Sequence, residues 1–202
     1  MGGKHKLVGQ TAVNSIKLMK DVTDVFDQNG IKYCLEGGTL LGVIRENRLL
    51  PWDDDLDFTC VESELPNLRK CYWKLFFKGL RIRERKQFES DAPLKKGMVK
   101  IVKIYSRKYW FFKGDVVLDI FIKYKQNDQY FWSVGKNKRY TKKSVDSHYY
   151  EDLATVNFEG KEFSVPKDSH GYLTKRYGDW QKQVKEWDYA TDDQSVCKNP
   201  EE

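Results

Sequence analysis

At 202 residues, with 40% hydrophobic and 14% aromatic content, the chain can bury one sizeable core, and its length argues against two full domains. A formal charge of +6 and a pI near 8.9 suit an anionic partner. Lys and Arg are nevertheless interleaved with acids, so a nucleotide or phosphorylated glycan fits as well as nucleic acid, and no stable nucleic-acid complex is expected. The opening MGGKHKLVGQ lacks the apolar run of a signal peptide, and no later run approaches the roughly 20 apolar residues of a membrane span. Lys6 stands where a myristoylation signal carries Ser or Thr, so a cytoplasmic protein without a transmembrane segment is expected.

In chain order, Thr11 to Asn29 sets Val13, Ile16, Leu18, Met19, Val22, Val25 and Phe26 at helical spacing, with Asn29-Gly30 as C-cap. Ile31 to Leu35 is an apolar run of strand length, and it leads into Glu36-Gly37-Gly38-Thr39 and a short helix, Thr39 to Arg45. Pro51-Trp52 stops what precedes it. Asp55 to Val61 alternates as a second strand, after which Ser63 is placed to cap a helix running to about Lys78. Beyond Gly79 the texture is β, with strands expected at Leu80 to Phe88, Gly97 to Arg107, Val116 to Tyr124 and Gln129 to Val134. Thr155 to Pro166 reads as a hairpin turning at Glu159-Gly160, and Asp168 to Tyr177 as a last helix, capped by Asp168 or Ser169 and ended by Gly178. This order describes one α+β domain over residues 1–202, with a mixed, mainly antiparallel sheet flanked by helices and a polar tail over residues 191–202. Cys34, Cys60, Cys71 and Cys197 lack the paired spacing of a zinc site or disulfide framework, and the three histidines are scattered. Lys136 to Lys143 (KNKRYTKK) is a basic run that reads either as a nucleic-acid contact or as a charged hairpin in solvent.

The most informative segment is PWDDDLDF, Pro51 to Phe58, where four carboxylates crowd into five positions at the start of an apolar strand. Side chains two apart on a strand share a face, so Asp53, Asp55 and Asp57 point one way while Asp54, Leu56 and Phe58 point the other. Like charges this close raise one another's pKa and oppose folding unless a cation sits among them, and Mg²⁺ or Mn²⁺ is the expected one. A third carboxylate, Asp119, lies inside the apolar run VVLDIFIKY, where burial makes an isolated charge costly. If its strand pairs beside the Asp55 strand, three carboxylates meet on one face, the arrangement that holds metal for phosphoryl-type displacement. Upstream, Gly37, Gly38 and Thr39 offer backbone N–H groups and a hydroxyl to a phosphate, and Arg45 and Arg48 offer charge.

At these residues the sequence resembles the LicD family, which includes the fukutin-type proteins, within the nucleotidyltransferase-fold (polymerase-beta-like) superfamily. The main signature is EGGTLLGVIRENRLLPWDDDLDF, Glu36 to Phe58. Leu118-Asp119-Ile120-Phe121 corresponds to the family's later carboxylate strand. Phe158-Glu159-Gly160, Val165-Pro166, Tyr172-Leu173 and Tyr177-Gly178-Asp179-Trp180 follow its closing pattern. The resemblance implies transfer of a substituted phosphate, such as phosphocholine from CDP-choline or ribitol phosphate, from a CDP-activated donor to a hydroxyl of a glycan or glycolipid, lipopolysaccharide included, with CMP leaving. It implies Asp55 and Asp57 as metal ligands and Asp119 as a third ligand or as the base. Gly37, Gly38, Thr39, Arg45 and Asp53 then fall on the substrate, and Tyr177, Asp179 and Trp180 help close its pocket. The family often continues past its Trp with an apolar residue and a proline, whereas this chain reads Gln181-Lys182-Gln183-Val184. True nucleotidyl transfer with release of pyrophosphate and a noncatalytic sugar- or nucleotide-binding module are the alternatives.

Overall fold

The computed structural model describes residues 5–108, 112–135, 139–184 and 187–197. Helix α1 (Gly9–Asp27) begins two residues before the expected start and buries Leu18, Met19, Val22, Val25 and Phe26, while Val13, assigned by spacing to the same stripe, is exposed. After a two-residue β1 (Cys34–Leu35), α2 (Gly37–Glu46) starts at the first glycine instead of at Thr39. Strand β2 (Leu56–Val61) follows.

The single helix expected after Ser63 is broken. Ser63 sits inside a 3-10 turn, Glu62–Glu64, and makes no capping bond; α3 (Leu65–Lys70), with Pro66 in its first turn, is then separated from α4 (Tyr72–Phe77) at Cys71. Pro66 is tolerated there because the first-turn N–H groups lack intrahelical acceptors in any case.

Strands β3 (Leu80–Lys86), β4 (Val99–Lys108), β5 (Phe112–Gln126) and β6 (Gln129–Val134) match the expected β texture. Two further elements, β7 (Thr141–Asp146) and α5 (His148–Glu151), were not anticipated. The hairpin β8 (Leu153–Phe158) and β9 (Lys161–Pro166) turns at Glu159-Gly160, and α6 (Ser169–Tyr177) is capped by the Asp168 carboxylate accepting from Gly171 N–H.

The main sheet runs β1-β2-β5-β4-β3, with β6 on the far end of β5 and β7 on β6. β2 and β5 are parallel and the other described pairings are antiparallel, so the fold is the expected α+β with a mixed sheet. One face, with Leu56, Phe58, Leu118, Ile120, Val102 and Ile104, is apolar and packs into the core. The period of two sends Asp57, Asp119 and Lys103 to the other face.

A buried ionic network joins that second face to the end of the chain. The Glu36 carboxylate accepts from Thr59, Tyr150, Tyr172 and Arg176, and Lys123 lies 3.3 Å from it with its ammonium 3.2 Å from the centre of the Trp132 ring. Arg176 also reaches Asp193, which takes Lys143 at 2.6 Å. Residues 191–197 therefore depart from the expected polar tail: Asp193 and Ser195 are buried, and Ser144 N–H and Cys197 N–H bond across between this segment and β7. Residues 198–202 lie outside the described residues. In the described part of the basic run Arg139 pairs with Asp188, Lys142 with Asp91 and the buried Lys143 with Asp193, so Lys143 departs from a charged hairpin in solvent; residues 136–138 lie outside the described residues. Among the described residues the cysteines are unpaired, and no helix is long and apolar enough to cross a membrane.

Burial alone would raise the Asp193 carboxyl, but Arg176 and Lys143 hold it down at about 2. Asp193→Asn leaves two buried cations without their anion and is expected to cost about 3–5 kcal/mol in urea unfolding followed by Trp fluorescence. Because the folded value lies below that of the unfolded chain, the wild type's advantage is present above the ordinary aspartate range and fades as pH falls through about 2.

Candidate active site

The parallel register of β2 and β5 sets Asp57 directly opposite Asp119. Asp55, one residue before β2, joins them, and carboxylate oxygens of Asp55, Asp57 and Asp119 lie within 4.8 Å of one another. The structure thus brings the three expected acids together on one face. Asp53 precedes the strand but lines the same cavity as Asp55 and Asp57; its oxygen accepts from Asp54 N–H, and it forms a second acidic group with Asp54 and Asp55.

The electrostatic load is large. Burial, then the charges of Asp53 and Asp119, pushes the Asp55 carboxyl up to about 7. Burial followed by Asp55, Asp53 and Asp119 holds Asp57 well above the usual carboxylate range. The Lys103 ammonium, opposite Asp119 on β4, contacts its carboxylate. All-oxygen donors at this spacing suit a hard divalent cation, so the residues present fit one.

The Gly37-Gly38 turn stands against the acids. Gly37 adopts φ +55°, and a Cβ there would meet Asp57 Oδ2 at 2.4 Å; at Gly38 it would meet Asp53 Oδ2 at 2.0 Å. Only glycine lets the start of α2 approach the carboxylates this closely. Glu36 N–H donates to Asp57 C=O at 2.9 Å, and the Glu36 side chain descends into the buried network. Burial would raise that carboxyl, but Lys123 and Arg176 hold it well below the usual range. Thr39 is buried, and its hydroxyl accepts from Asp57 N–H at 2.9 Å instead of facing the cavity, so it positions Asp57.

A cavity of 1910 Å³ opens over this face, and Gly37, Gly38, Asp55, Asp57 and Asp119 line it. Tyr177, Asp179 and Trp180 line the same cavity from the end of α6. Trp180 is buried, its indole N–H donating to Thr174 Oγ1, while Asp179 is exposed and pairs with Lys182. Arg45 reaches the cavity with its guanidinium committed to Glu46 and to the Trp180 carbonyl, tying α2 to this segment; Arg48 pairs with Glu46 outside. Sequence reasoning missed Lys103, Lys123, Arg176 and Asp193. Lys103 and Lys123 carried a signal of the kind that exposed Asp119, a charge inside an apolar strand; Asp193 carried none.

A family model described as LicD/FKTN/FKRP, nucleotidyltransferase domain, matches residues 30–168. The chain belongs to this family. An uncharacterized protein of Rickettsia prowazekii (strain Madrid E) is 28% identical over 180 residues, covering 89% of this chain and 59% of that protein. The mouse ribitol-5-phosphate transferase FKTN is 25% identical over 172 residues, covering 84% of this chain and 34% of its own. The chain therefore spans about three fifths of the first relative and about a third of the second. Among solved structures, ANT(2″)-Ia in complex with adenylyl-2″-tobramycin is similar at 16% identity and a TM-score of 0.45, covering 79% of this chain and 76% of that one. The match to the LicD/FKTN/FKRP domain encloses all three clustered acids and the glycine turn; Tyr177 to Trp180 lie beyond its end.

In this LicD-family chain Gly37→Ala is expected to cost about 1–2 kcal/mol for the left-handed backbone alone. It should also displace Asp57. Thermal melts with and without Mn²⁺ separate the two effects: a lower melting point that Mn²⁺ no longer raises is the expected result.

Proposed function

We propose that this chain transfers a substituted phosphate, of the phosphocholine or ribitol-phosphate type, from a CDP-activated donor to a glycan hydroxyl, releasing CMP. The observation that carries the reading is the cluster of Asp55, Asp57 and Asp119 beside a glycine turn that opens a helix. Family membership and the printed activity of FKTN support it. Asp55, Asp57 and Asp119 would hold Mg²⁺ or Mn²⁺, which when bound neutralises donor phosphates and the charge that develops on the departing oxygen.

The chain's own groups do the rest by orientation. The first N–H groups of α2, at Gly37 and Gly38, would take donor phosphates, a role supported by the close approach of the helix start to the acids that the glycines allow. Thr39 holds Asp57 in place, and Glu36 ties the turn to the core. Asp119 serves as a ligand, since its register opposite Asp57 brings its carboxylate within reach of the same cation as Asp55 and Asp57. Tyr177 and Trp180 wall the cavity and exclude water from the reacting phosphate.

A second reading, nucleotidyl transfer with release of pyrophosphate, is favoured by the description of the family domain. Product analysis separates the two: CMP from a CDP compound supports the first, pyrophosphate from a nucleoside triphosphate the second. A screen of CDP-linked compounds by thermal shift, with and without Mg²⁺, identifies the donor as the one whose stabilisation requires the metal. Asp57→Asn and Asp55→Asn are expected to abolish turnover, and Asp119→Asn to be nearly as severe. Without metal, Asp57→Asn removes a buried repulsion, and a relief of about 1 kcal/mol would raise the melting point by about 2–4 °C. A variant that kept near-normal turnover would remove Asp57 from the metal.

A further inference from the structure

Helix α4 packs toward β3 with the buried Leu75, while Trp73, Phe76 and Phe77 are 59%, 49% and 79% exposed. Positions i, i+3 and i+4 share one side of a helix. The three rings also touch one another: Trp73 and Phe77 meet edge to face with centroids 6.1 Å apart, and Phe76 and Phe77 at 5.9 Å. Apolar side chains exposed singly are ordinary on a protein surface, whereas three in mutual contact form a patch of the kind that marks a contact surface.

Cations border this patch. The Arg107 guanidinium lies 4.1 Å from the centre of the Phe76 ring, and the Lys74 ammonium 5.6 Å from that of Trp73. Lys70 stands one turn before Trp73, and Lys78 directly follows Phe77. Lys70 and Lys74 donate to the side-chain oxygens of Asn67 and Asn29, and among the described residues neither they nor Arg107 forms an ion pair with a carboxylate. The acids nearest Lys78, Asp21 and Asp24 at 4.0 Å, are each held more closely by another lysine, Lys17 and Lys161. The positive charge around the rings is therefore largely uncompensated.

We propose that α4 seats the protein on an anionic lipid surface, with Trp73, Phe76 and Phe77 entering the headgroup boundary and Lys70, Lys74, Lys78 and Arg107 facing the lipid phosphates. Aromatic rings rimmed by Lys and Arg match a bilayer interface in both polarity and charge. A second copy of the chain fits less well. At the 150–250 Å² that an aromatic side chain presents, the exposed parts amount to roughly 400 Å², about half of what each partner of a stable dimer buries. A two-fold axis at the patch would also set its cations against their own copies. Protein interfaces in general are depleted in Lys, which supplies three of the four cations here. Helix α4 covers β3 from the apolar side of the sheet, where Ile82 lies opposite Ile104, whereas the acids occupy the other side. A protein seated on α4 thus keeps its cavity open to water, and the seat does not depend on the transfer reading.

The test sediments the full chain with vesicles of phosphatidylcholine alone and of phosphatidylcholine containing one third phosphatidylglycerol. Binding to the anionic vesicles is expected to be tighter by roughly tenfold or more and to weaken as salt rises. Phe77→Ser and Trp73→Ser should each weaken it by roughly tenfold, through lost apolar burial. Lys70→Gln should weaken it by roughly threefold or more, through lost charge. All three side chains are exposed, so the melting points should not change; should an aromatic variant melt early, Lys70→Gln and the salt dependence decide. Equal binding to the neutral vesicles would overturn the role of charge, and binding unchanged in the variants would overturn the assignment to α4. Absence of binding to either vesicle would overturn the proposal as a whole. Sedimentation velocity of the chain alone then names the occupant: self-association that Phe77→Ser abolishes gives the patch to a second copy, and a monomer leaves it to a different protein.

Discussion

Two carboxylates stand opposite each other where two strands run parallel, and the protein holds them there. Asp57 and Asp119 share one register position of β2 and β5, with Asp55 one step away. Neighbouring strands separate such residues by about 5 Å, and the cavity above gives them only partial access to water. Left as a bare cluster, the acids disfavour the fold, which is why the Asp55 and Asp57 carboxyls are driven upward by burial and by one another. A site that resists its own folding needs its stability from elsewhere.

That support comes from the opposite face of the sheet and from the ionic network beside the site. The apolar face carries Leu56, Phe58, Leu118 and Ile120 on the same two strands, so Asp57 and Asp119 are each flanked in sequence by residues sunk in the core. Glu36 does the complementary work at the turn. Its backbone N–H holds Asp57 C=O and its carboxylate is held by Arg176 and Lys123, which links the helix start beside the acids to α6. The network depends on its anions: burial drags the Lys123 ammonium down to about 7 and that of Lys143 to about 8, with Glu36 and Asp193 opposing the shift. Asp193, from the end of the described chain, is thus part of what fixes the glycine turn.

Much of this was legible in the sequence because local rules coincide with the final contacts. Helix α1, the β texture after Gly79, the Glu159-Gly160 hairpin and the cap at Asp168 all follow from patterns a few residues long. Asp119 was legible through cost, as a charge inside an apolar run. Other features depend on partners distant in the chain. Ser63 had the chemistry of a cap, but the 3-10 turn that contains it made no use of the hydroxyl. Thr39 had the chemistry of a phosphate ligand, and the nearby β2 backbone claimed it. The segment after Thr191 is polar because it carries the counter-charge for Arg176 and Lys143, and nothing local distinguishes a buried counter-ion from a solvated one.

The sheet also explains why one domain can hold acids and arginines on a common surface without mutual collapse. Asp57 and Arg83 share a face but are three strands apart, and between them Lys103 contacts Asp119. Charges within a strand alternate between faces, so Glu84 cannot neutralise its neighbours Arg83 and Arg85 and instead anchors α3 through Arg69. The pleat therefore sorts charge by side while register sorts it by position. The surface is acidic at one end and basic at the other by geometry alone, and Lys103 stands at the boundary, offsetting Asp119 while facing Arg83.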